Sequence, residues 1–395
     1  MDGISQYSWE MLPGARVRAP SARRMFVMLL VIGLGVTAYG VTRFKRDFVD
    51  FEVMQQAGVR ALAAEPLYRD EDGHFQYKYL PAYAFAMTPF ADIDIEVSKA
   101  LWFAISVGLL IVFVQQSVDA LPARRRSIPL LYWMTALVLT KFVVTELVNG
   151  QCNILLGVLA MAGFNAARRG RPREAGALVG VAVFVKVYAL VLLPWLAVAV
   201  GLTSVLAFAA VLVAGLLLPI PVYGWDGNLA LLAGWYHTVT STTEPNLLLR
   251  HAISFAAMWA KWIGPGPLAS WLAVASVVIA LAAAALVWWR RQPVMEPGYL
   301  EVGFLLMLVP LLSPQGWDYV LLLGAPAMVV LIDRWTDMSA LWRLLTAAGF
   351  FMANFTTFDT VGQHNYLLVT TYAVVSIGAI VMLASAVHVR LRGWA

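Results

Sequence analysis

The stretch PLASWLAVASVVIALAAAALVWW, residues 267–289, contains no charged side chain. As an α-helix rising 1.5 Å per residue, it is long enough to cross the roughly 30 Å hydrocarbon core of a bilayer. Arg290 and Arg291 follow it directly. The stretch therefore predicts a transmembrane helix that ends in a basic turn.

The composition extends this prediction to the rest of the chain. Of the 395 residues, 61% are hydrophobic and only 13% are charged. Soluble domains are about half apolar and about a quarter charged, because their surface faces water. The net charge of +5 comes from basic residues in short clusters between apolar runs, so we expect the lipid bilayer and not nucleic acid as a partner.

The single cysteine, Cys152, excludes an internal disulfide, and one Cys with five His offers no zinc-binding spacing. We expect neither a metal nor a cofactor.

Apolar runs recur along the chain and predict an all-α, polytopic membrane protein with about 12 transmembrane helices. The runs lie at 25–42, 97–116, 129–148, 154–167, 175–187, 188–202, 204–222, 267–289, 299–312, 319–333, 341–357 and 366–388. Those at 154–167, 175–202 and 299–333 are short enough to be split, tilted or re-entrant. Residues 1–24 form a tail before a retained first span, and 25–395 form one transmembrane domain.

The basic clusters predict the orientation. With the N-terminus in the cytoplasm, the later clusters around Arg124, Arg168, Arg290, Arg334 and Arg390 all fall on the cytoplasmic side, as the positive-inside rule requires. We expect a multi-pass protein of the plasma (inner) membrane with both termini cytoplasmic. Two long outer loops, 43–96 and 223–266, then carry most of the polar chemistry, although basic residues at 43–46 do not fit the rule.

The first outer loop contains an amphipathic pattern. Apolar residues at helical spacing from Phe51 to Leu62 predict a helix lying in the membrane interface. Asp50 stands where that helix begins. Its carboxylate is either a helix N-cap or a general base held at the membrane surface, and the residues alone leave both open.

Several short motifs resemble glycosyltransferase family 87, a family of enzymes with the GT-C fold that use polyprenyl-phosphate sugars. In the first outer loop these are Asp50-Phe51, Ala57-Gly58, Pro66-Leu67-Tyr68, Tyr79 and Pro81. Further along the chain, the similar motifs are Asn149-Gly150-Gln151 with Asn153, Gly176 through Lys186-Val187-Tyr188, and Ser313-Pro314 with Trp317-Asp318.

The resemblance implies a GT-C-like bundle that transfers a sugar, commonly mannose, to a hydroxyl of a lipid or glycan acceptor on the outer face. The family's catalytic aspartate would be Asp50, with Asp47 as the near alternative. Inverting transfer needs one carboxylate to take the acceptor proton and cations to hold the leaving phosphate.

Three cationic residues are candidates for the phosphate. Lys186 lies about 16 Å into an apolar run, where an unpaired charge is costly, so it either faces a cavity or snorkels to the interface. Arg250 and His251 either hold the phosphate or anchor the chain at the interface. Lys141 and Glu146 are five residues apart and predict a structural ion pair.

One motif departs from the family. Tyr319 stands directly after Trp317-Asp318, where relatives often have a histidine, so Arg250, His251 or Tyr319 would have to replace it at the phosphate. We expect Asp318 to orient a neighbour or cap a helix.

Uncharged and aromatic residues complete the predicted site. Asn149, Gln151 and Asn153 form either a polar hairpin or a sugar-binding group, and Tyr79 and Trp317 stack on sugar rings or join the aromatic belt. His237 is a weaker candidate.

Two rival functions remain open: a secondary transporter or flippase of lipid-linked sugars, and a non-catalytic assembly subunit. Transporters tend to show repeated halves, and no internal repeat is visible here.

Overall fold

The computed structural model describes residues 48–291, 294 and 296–394. Asp47, the predicted tail 1–24 and the predicted first span 25–42 lie outside these residues. The described chain is helical, and its only strand-like pairing is an isolated antiparallel bridge between Ala252 and Trp317. The prediction of an all-α chain is confirmed.

Fourteen longer helices, named here in chain order, organise the described residues. They are α1 Val49–Leu62, α2 Ile95–Asp119, α3 Ile128–Asn149, α4 Asn153–Arg168, α5 Pro172–Val185, α6 Leu202–Leu217, α7 Ile220–Ser241, α8 Phe255–Ile263, α9 Pro267–Trp289, α10 Gly298–Leu312, α11 Ala325–Asp333, α12 Ala340–Phe350, α13 Phe358–Thr371 and α14 Val374–Leu391. Short helical turns connect them, including Asp70–Phe75, Pro81–Ala86, Val187–Leu192, Thr243–Asn246 and Asp318–Gly324.

Four of these helices, α2, α3, α9 and α14, are long and apolar enough to cross a membrane. The pair α6 and α7, bent by 92°, adds a fifth if it is counted as one broken span. The predicted total of about 12 is therefore not confirmed, because several apolar runs in the described chain form helices too short to cross alone.

The run at 175–202 is split, as its length indicated. Helix α5 stops at Val185, and Lys186 takes an extended conformation (φ −153°, ψ 136°). A 3-10 turn over Val187–Leu192 follows, and Gly201 (φ 104°) begins α6. The break places a lysine where the helical path is interrupted.

The run at 299–333 is also split, and it forms the centre of the core. Helices α10 and α11, with the turn Asp318–Gly324 between them, are buried along almost their whole length. A helix that is apolar on all sides is stable only when other helices surround it. The loop just before this turn carries the Ser313-Pro314 and Trp317-Asp318 motifs.

The bundle has two chemically different ends. Helices α3 and α4 form a hairpin whose Asn149–Gln151 turn lies near Asp50, and we call this the Asp50 end. Their other termini meet the arginine clusters at Arg124 and Arg168, and we call this the arginine end. At this end, Oδ1 of Asp333 accepts hydrogen bonds from the backbone N–H groups of Arg125 and Arg126, at 2.8 and 2.9 Å.

Where the structure describes them, from residue 48 onward, both predicted outer loops are largely helical. Residues 223–266 include most of α7 and all of α8, with a kink at Gly224 (φ 71°). Helix α1 is amphipathic as predicted, but its apolar face packs on protein: Phe51 is fully buried and stacks on Trp102 at 5.5 Å. Neighbouring aromatic residues therefore cover the apolar face of α1, and the location of this helix in the membrane interface stays a prediction.

Candidate active site

The start of α1 is docked on the α3–α4 turn, and this contact places Asp50. The Phe48 N–H donates to the Val148 carbonyl at 2.8 Å, and the Trp102 indole donates to the Gly150 carbonyl at 2.8 Å. Gly150 has φ 66°, and a Cβ atom there would lie 2.7 Å from the Cβ of Phe51. Only glycine fits both the backbone conformation and this close approach.

The Asp50 carboxylate lies in a mixed environment. Burial raises its pKa above the ordinary value, while a hydrogen bond from Gln151 and the charges of Lys186, Lys78 and His74 oppose that rise. The N-cap of α1 is Phe48, and the helix has no side-chain cap. The structure therefore does not support the N-cap alternative, and the general-base alternative stays a prediction.

Lys186 points into the protein beside this carboxylate. Its ammonium donates to Gln151 Oε1 at 2.8 Å and lies 5.6 and 5.7 Å from the ring centres of Tyr79 and Tyr188. The Tyr79 hydroxyl donates to the same Gln151 oxygen at 3.4 Å. These contacts do not agree with the snorkelling alternative, because the charged head is held inside the protein.

The predicted ion pair between Lys141 and Glu146 is wrong. Glu146 is fully buried and accepts from the Asn153 amide at 2.7 Å and the Ile154 backbone N–H at 3.1 Å, which caps the start of α4. Lys141 projects from another face of α3 and lies 3.2 Å from Asp318. Asn153, one of the predicted sugar ligands, is itself buried and bound to Glu146.

Asp318 is the centre of a second cluster at the same end. Its Oδ2 faces Lys141 and also lies 3.4 Å from His251 Nδ1, whereas its buried Oδ1 has no partner in the described chain. Burial raises the pKa of Asp318, but Lys141 and His251 lower it more, so the net pKa is below the ordinary value. Asp318 is thus held by Lys141 and His251 and stays ionised, which agrees with a role in orienting its neighbours.

A cavity opens beside Asp318. Its polar lining includes Lys141, Arg250 and Lys261, and Tyr366 and Thr370 of α13 form part of the far wall. Lys261 donates to the Ala252 carbonyl at 2.7 Å. Three cations against one carboxylate leave an excess of positive charge, which suits an anionic group such as a phosphate.

Tyr319 joins the two clusters. Its side chain is buried and interacts electrostatically with both Asp50 and Asp318. Asn149 and Trp317 are half-buried at the same end. His237 is exposed on α7, and the structure brings it to neither cluster. Asp47 lies outside the described residues.

Sequence reasoning missed several participants. Lys78 approaches Asp50, while Lys141 and Lys261 line the cavity. A lysine between two tyrosines of an acidic loop was a weak signal for Lys78. No sequence signal pointed to Lys141 as a cavity residue, because its partner, Asp318, lies far away along the chain. Among the described residues, no three His, Cys, Asp or Glu side chains gather as metal ligands would.

The fold and the site define a helical membrane protein with a polar site at one end of its bundle. The family model of glycosyltransferase family 87 matches residues 77–314, more than half of the chain. The chain belongs to this family and is a glycosyltransferase, as the motifs predicted. No curated protein matches it.

Proposed function

We propose that this protein transfers a sugar, mannose by its family resemblance, from a polyprenyl-phosphate donor to an acceptor hydroxyl on the outer face of the plasma membrane. The observation that carries the proposal is the partly buried Asp50 carboxylate beside Gln151, at the same end as a cavity with excess positive charge. A base and a phosphate-binding group are the two parts that inverting transfer needs.

Inverting transfer of the sugar requires only one carboxylate, that of Asp50, as general base. The acceptor hydroxyl gives its proton to Asp50 while its oxygen bonds to the anomeric carbon of the donor sugar. The bond from that carbon to the phosphate oxygen breaks, and its electron pair leaves with the polyprenyl phosphate. Attack and departure occur on opposite faces, so the configuration inverts and no second carboxylate is required.

The candidate site residues divide by chemistry. Lys186, Arg250, His251 and Tyr319 are the candidates for the donor phosphate, and the cavity adds Lys261. Tyr79, Asn149, Gln151, Trp317 and Asp318 are placed at the same end and suit sugar hydroxyls or rings. Asn153 supports the turn through Glu146, and His237 remains a candidate for the acceptor side only.

The outer location of the site follows from charge. The arginine clusters and Asp50 lie at opposite ends of α3 and α4, so placing the arginines in the cytoplasm puts Asp50 outside. Both termini then face the cytoplasm. The donor lipid would reach the cavity sideways from the bilayer.

The test is transfer of radiolabelled sugar from a polyprenyl-phosphate donor in proteoliposomes that contain purified protein. We expect Asp50→Asn to lower transfer by about 10²- to 10⁴-fold with unchanged folding. Glu52→Gln, two residues away and paired with Lys99 at 2.7 Å, is the matched control. Full activity of Asp50→Asn, with loss in Asp47→Asn, would move the base to Asp47.

Full activity in both variants would end the general-base assignment. Movement of the lipid-linked sugar across the bilayer without covalent transfer would instead identify a flippase.

A further inference from the structure

Helix α6 ends at the Asp50 end of the bundle, and α7 begins there. Gly176, early in α5, lies against Ser204 near the start of α6. Phe184, near the end of α5, lies against Gly215 near the end of α6. The two helices therefore run in the same direction, from the arginine end to the Asp50 end.

Helix α7 turns sharply away from α6. The buried side chains of α6 are Ser204 and Phe208, and its other faces expose leucine and valine side chains, which contact lipid when α6 spans a membrane. The bend between the two helices is 92°. Membrane-spanning helices are tilted by only about 20° from the bilayer normal on average. A helix at a right angle to such a span lies along the membrane surface.

The exposed half of α7 divides into an apolar stripe and a polar edge. The apolar stripe has side chains four, four and three residues apart: Trp225, Leu229, Ala233 and Tyr236. Trp225, Leu229 and Tyr236 are 59%, 50% and 66% exposed. The polar edge consists of Asp226 and His237, which are exposed and share one side of the helix next to the stripe. This division is typical of a helix at the boundary between lipid and water, where Trp and Tyr are enriched.

The opposite face of α7 is bound to the two loops that carry the site. The Tyr223 hydroxyl and the Trp235 indole donate to carbonyls of the first outer loop at 2.7 and 3.2 Å. Near the other end of the helix, the Gln315 amide donates to the Val239 carbonyl at 3.0 Å. Gln315 belongs to the loop that precedes Asp318. The depth at which α7 lies in the membrane therefore sets the depth of both loops.

We propose that α7 is an interfacial helix whose apolar stripe is embedded in lipid at the Asp50 end, with the polar edge facing water. Its partner is the boundary between acyl chains and headgroups, into which such helices reach about 5–10 Å. The stripe continues the lipid-facing surface of α6. Residues 220–241 contain no Lys or Arg, so apolar burial and not headgroup charge holds the helix there. Helix α7 has this role whether or not the protein transfers sugar.

The test is spin labelling of the full chain in proteoliposomes. Nitroxides on Leu229→Cys, Ala233→Cys and Tyr236→Cys report collisions with oxygen, which concentrates in lipid, and with a water-soluble nickel chelate. We expect all three labels to collide more with oxygen, at depths that agree within about 4 Å for a helix tilted by about 20° from the membrane plane. The matched control is His237→Cys, which should collide more with the nickel chelate.

Two reference labels set the scale, Leu206→Cys on the lipid-facing side of α6 and Glu71→Cys in water. A depth that changes steadily by roughly 10 Å between Leu229 and Tyr236 would show that α7 re-enters the bilayer, and would overturn the proposal. Nickel collisions as frequent as at Glu71→Cys would do the same, by placing the stripe in water. So would spin–spin broadening between two chains at Leu229→Cys, because a second copy would then cover the stripe.

The labelling needs little correction for misfolding or background. All substituted side chains are exposed, so we expect unchanged thermal unfolding for each variant. The native Cys152 is fully buried, and the unsubstituted protein treated with the same label gives the background signal.

Discussion

At the scale of single residues, Lys261 of the cavity and the neighbouring His251 have unlike environments. Lys261 donates to the backbone carbonyls of Arg250 and Ala252, and burial lowers its pKa to about 8 although the charge of Asp318 opposes that shift. His251 contacts Asp318, which raises the pKa of the imidazole. On the proposed function, Lys261 binds the donor phosphate more weakly once its ammonium loses its charge at alkaline pH.

This difference predicts a pH-dependent donor affinity. The Lys261 ammonium is present below about pH 8 and is lost above it, so we expect the donor KM to rise as the pH increases from 7.5 to 9.5. Lys261→Arg stays charged over that range and should make the KM independent of pH. Initial-rate kinetics at several donor concentrations give the donor KM of the unchanged protein and of Lys261→Arg at each pH. A flat profile in the unchanged protein would exclude Lys261 from the phosphate site.

The Lys141–Asp318 pair predicts strong coupling in stability. Both side chains are at most 10% exposed, so removal of one partner leaves a buried charge, at a cost of about 3–5 kcal/mol. We expect Lys141→Met and Asp318→Asn each to be destabilising and the double variant to cost less than their sum. The free energies of unfolding of the unchanged protein, the two single variants and the double variant, measured in mixed micelles, give the coupling energy by a double-mutant cycle.

An exposed pair provides the control for that cycle. Arg171 and Glu174 are 3.3 Å apart with side chains 62% and 46% exposed. Their coupling should stay below about 1 kcal/mol. Strict additivity at Lys141 and Asp318 would show that the two charges do not interact.

At the scale of elements, the contact between α5 and α6 holds the break that carries Lys186. A Cβ atom on Gly176 would lie 1.9 Å from the Ser204 carbonyl oxygen, so the two helices touch through their backbones. Small residues permit this approach between membrane helices. The break at Lys186 itself was foreseeable only as a short apolar run, since the extended conformation of one residue has no periodic signal.

This contact predicts that Gly176→Ala separates α5 from α6. We expect a loss of about 1–3 kcal/mol in stability together with reduced transfer, because Lys186 lies at the end of the displaced helix. Thermal unfolding and the transfer assay on the same preparation measure the two effects. Gly108→Ala in α2 is the control, since no atom lies within 4 Å of the added Cβ. Unchanged stability of Gly176→Ala would show that the helices can adjust without cost.

At the scale of the whole molecule, the two ends of the bundle predict sidedness. Glu71 is exposed in the segment after α1, and Arg171 is exposed at the arginine end. We expect a membrane-impermeant maleimide to label Glu71→Cys in intact cells and to label Arg171→Cys only after the membrane is opened. The native Cys152 is fully buried and should not interfere. The reverse labelling pattern would place Asp50 in the cytoplasm.

The sequence alone determined the helical membrane character and the family, and it singled out Asp50, Gln151 and Lys186 as candidate site residues. These follow from local information, because apolar length, basic turns and short motifs are read along the chain. Only the tertiary structure decided which charges meet. Lys141 pairs with Asp318 instead of Glu146, and Lys186 donates to Gln151. The reason is that electrostatic interactions depend on distances of a few ångströms between separate helices, which helical periodicity does not specify.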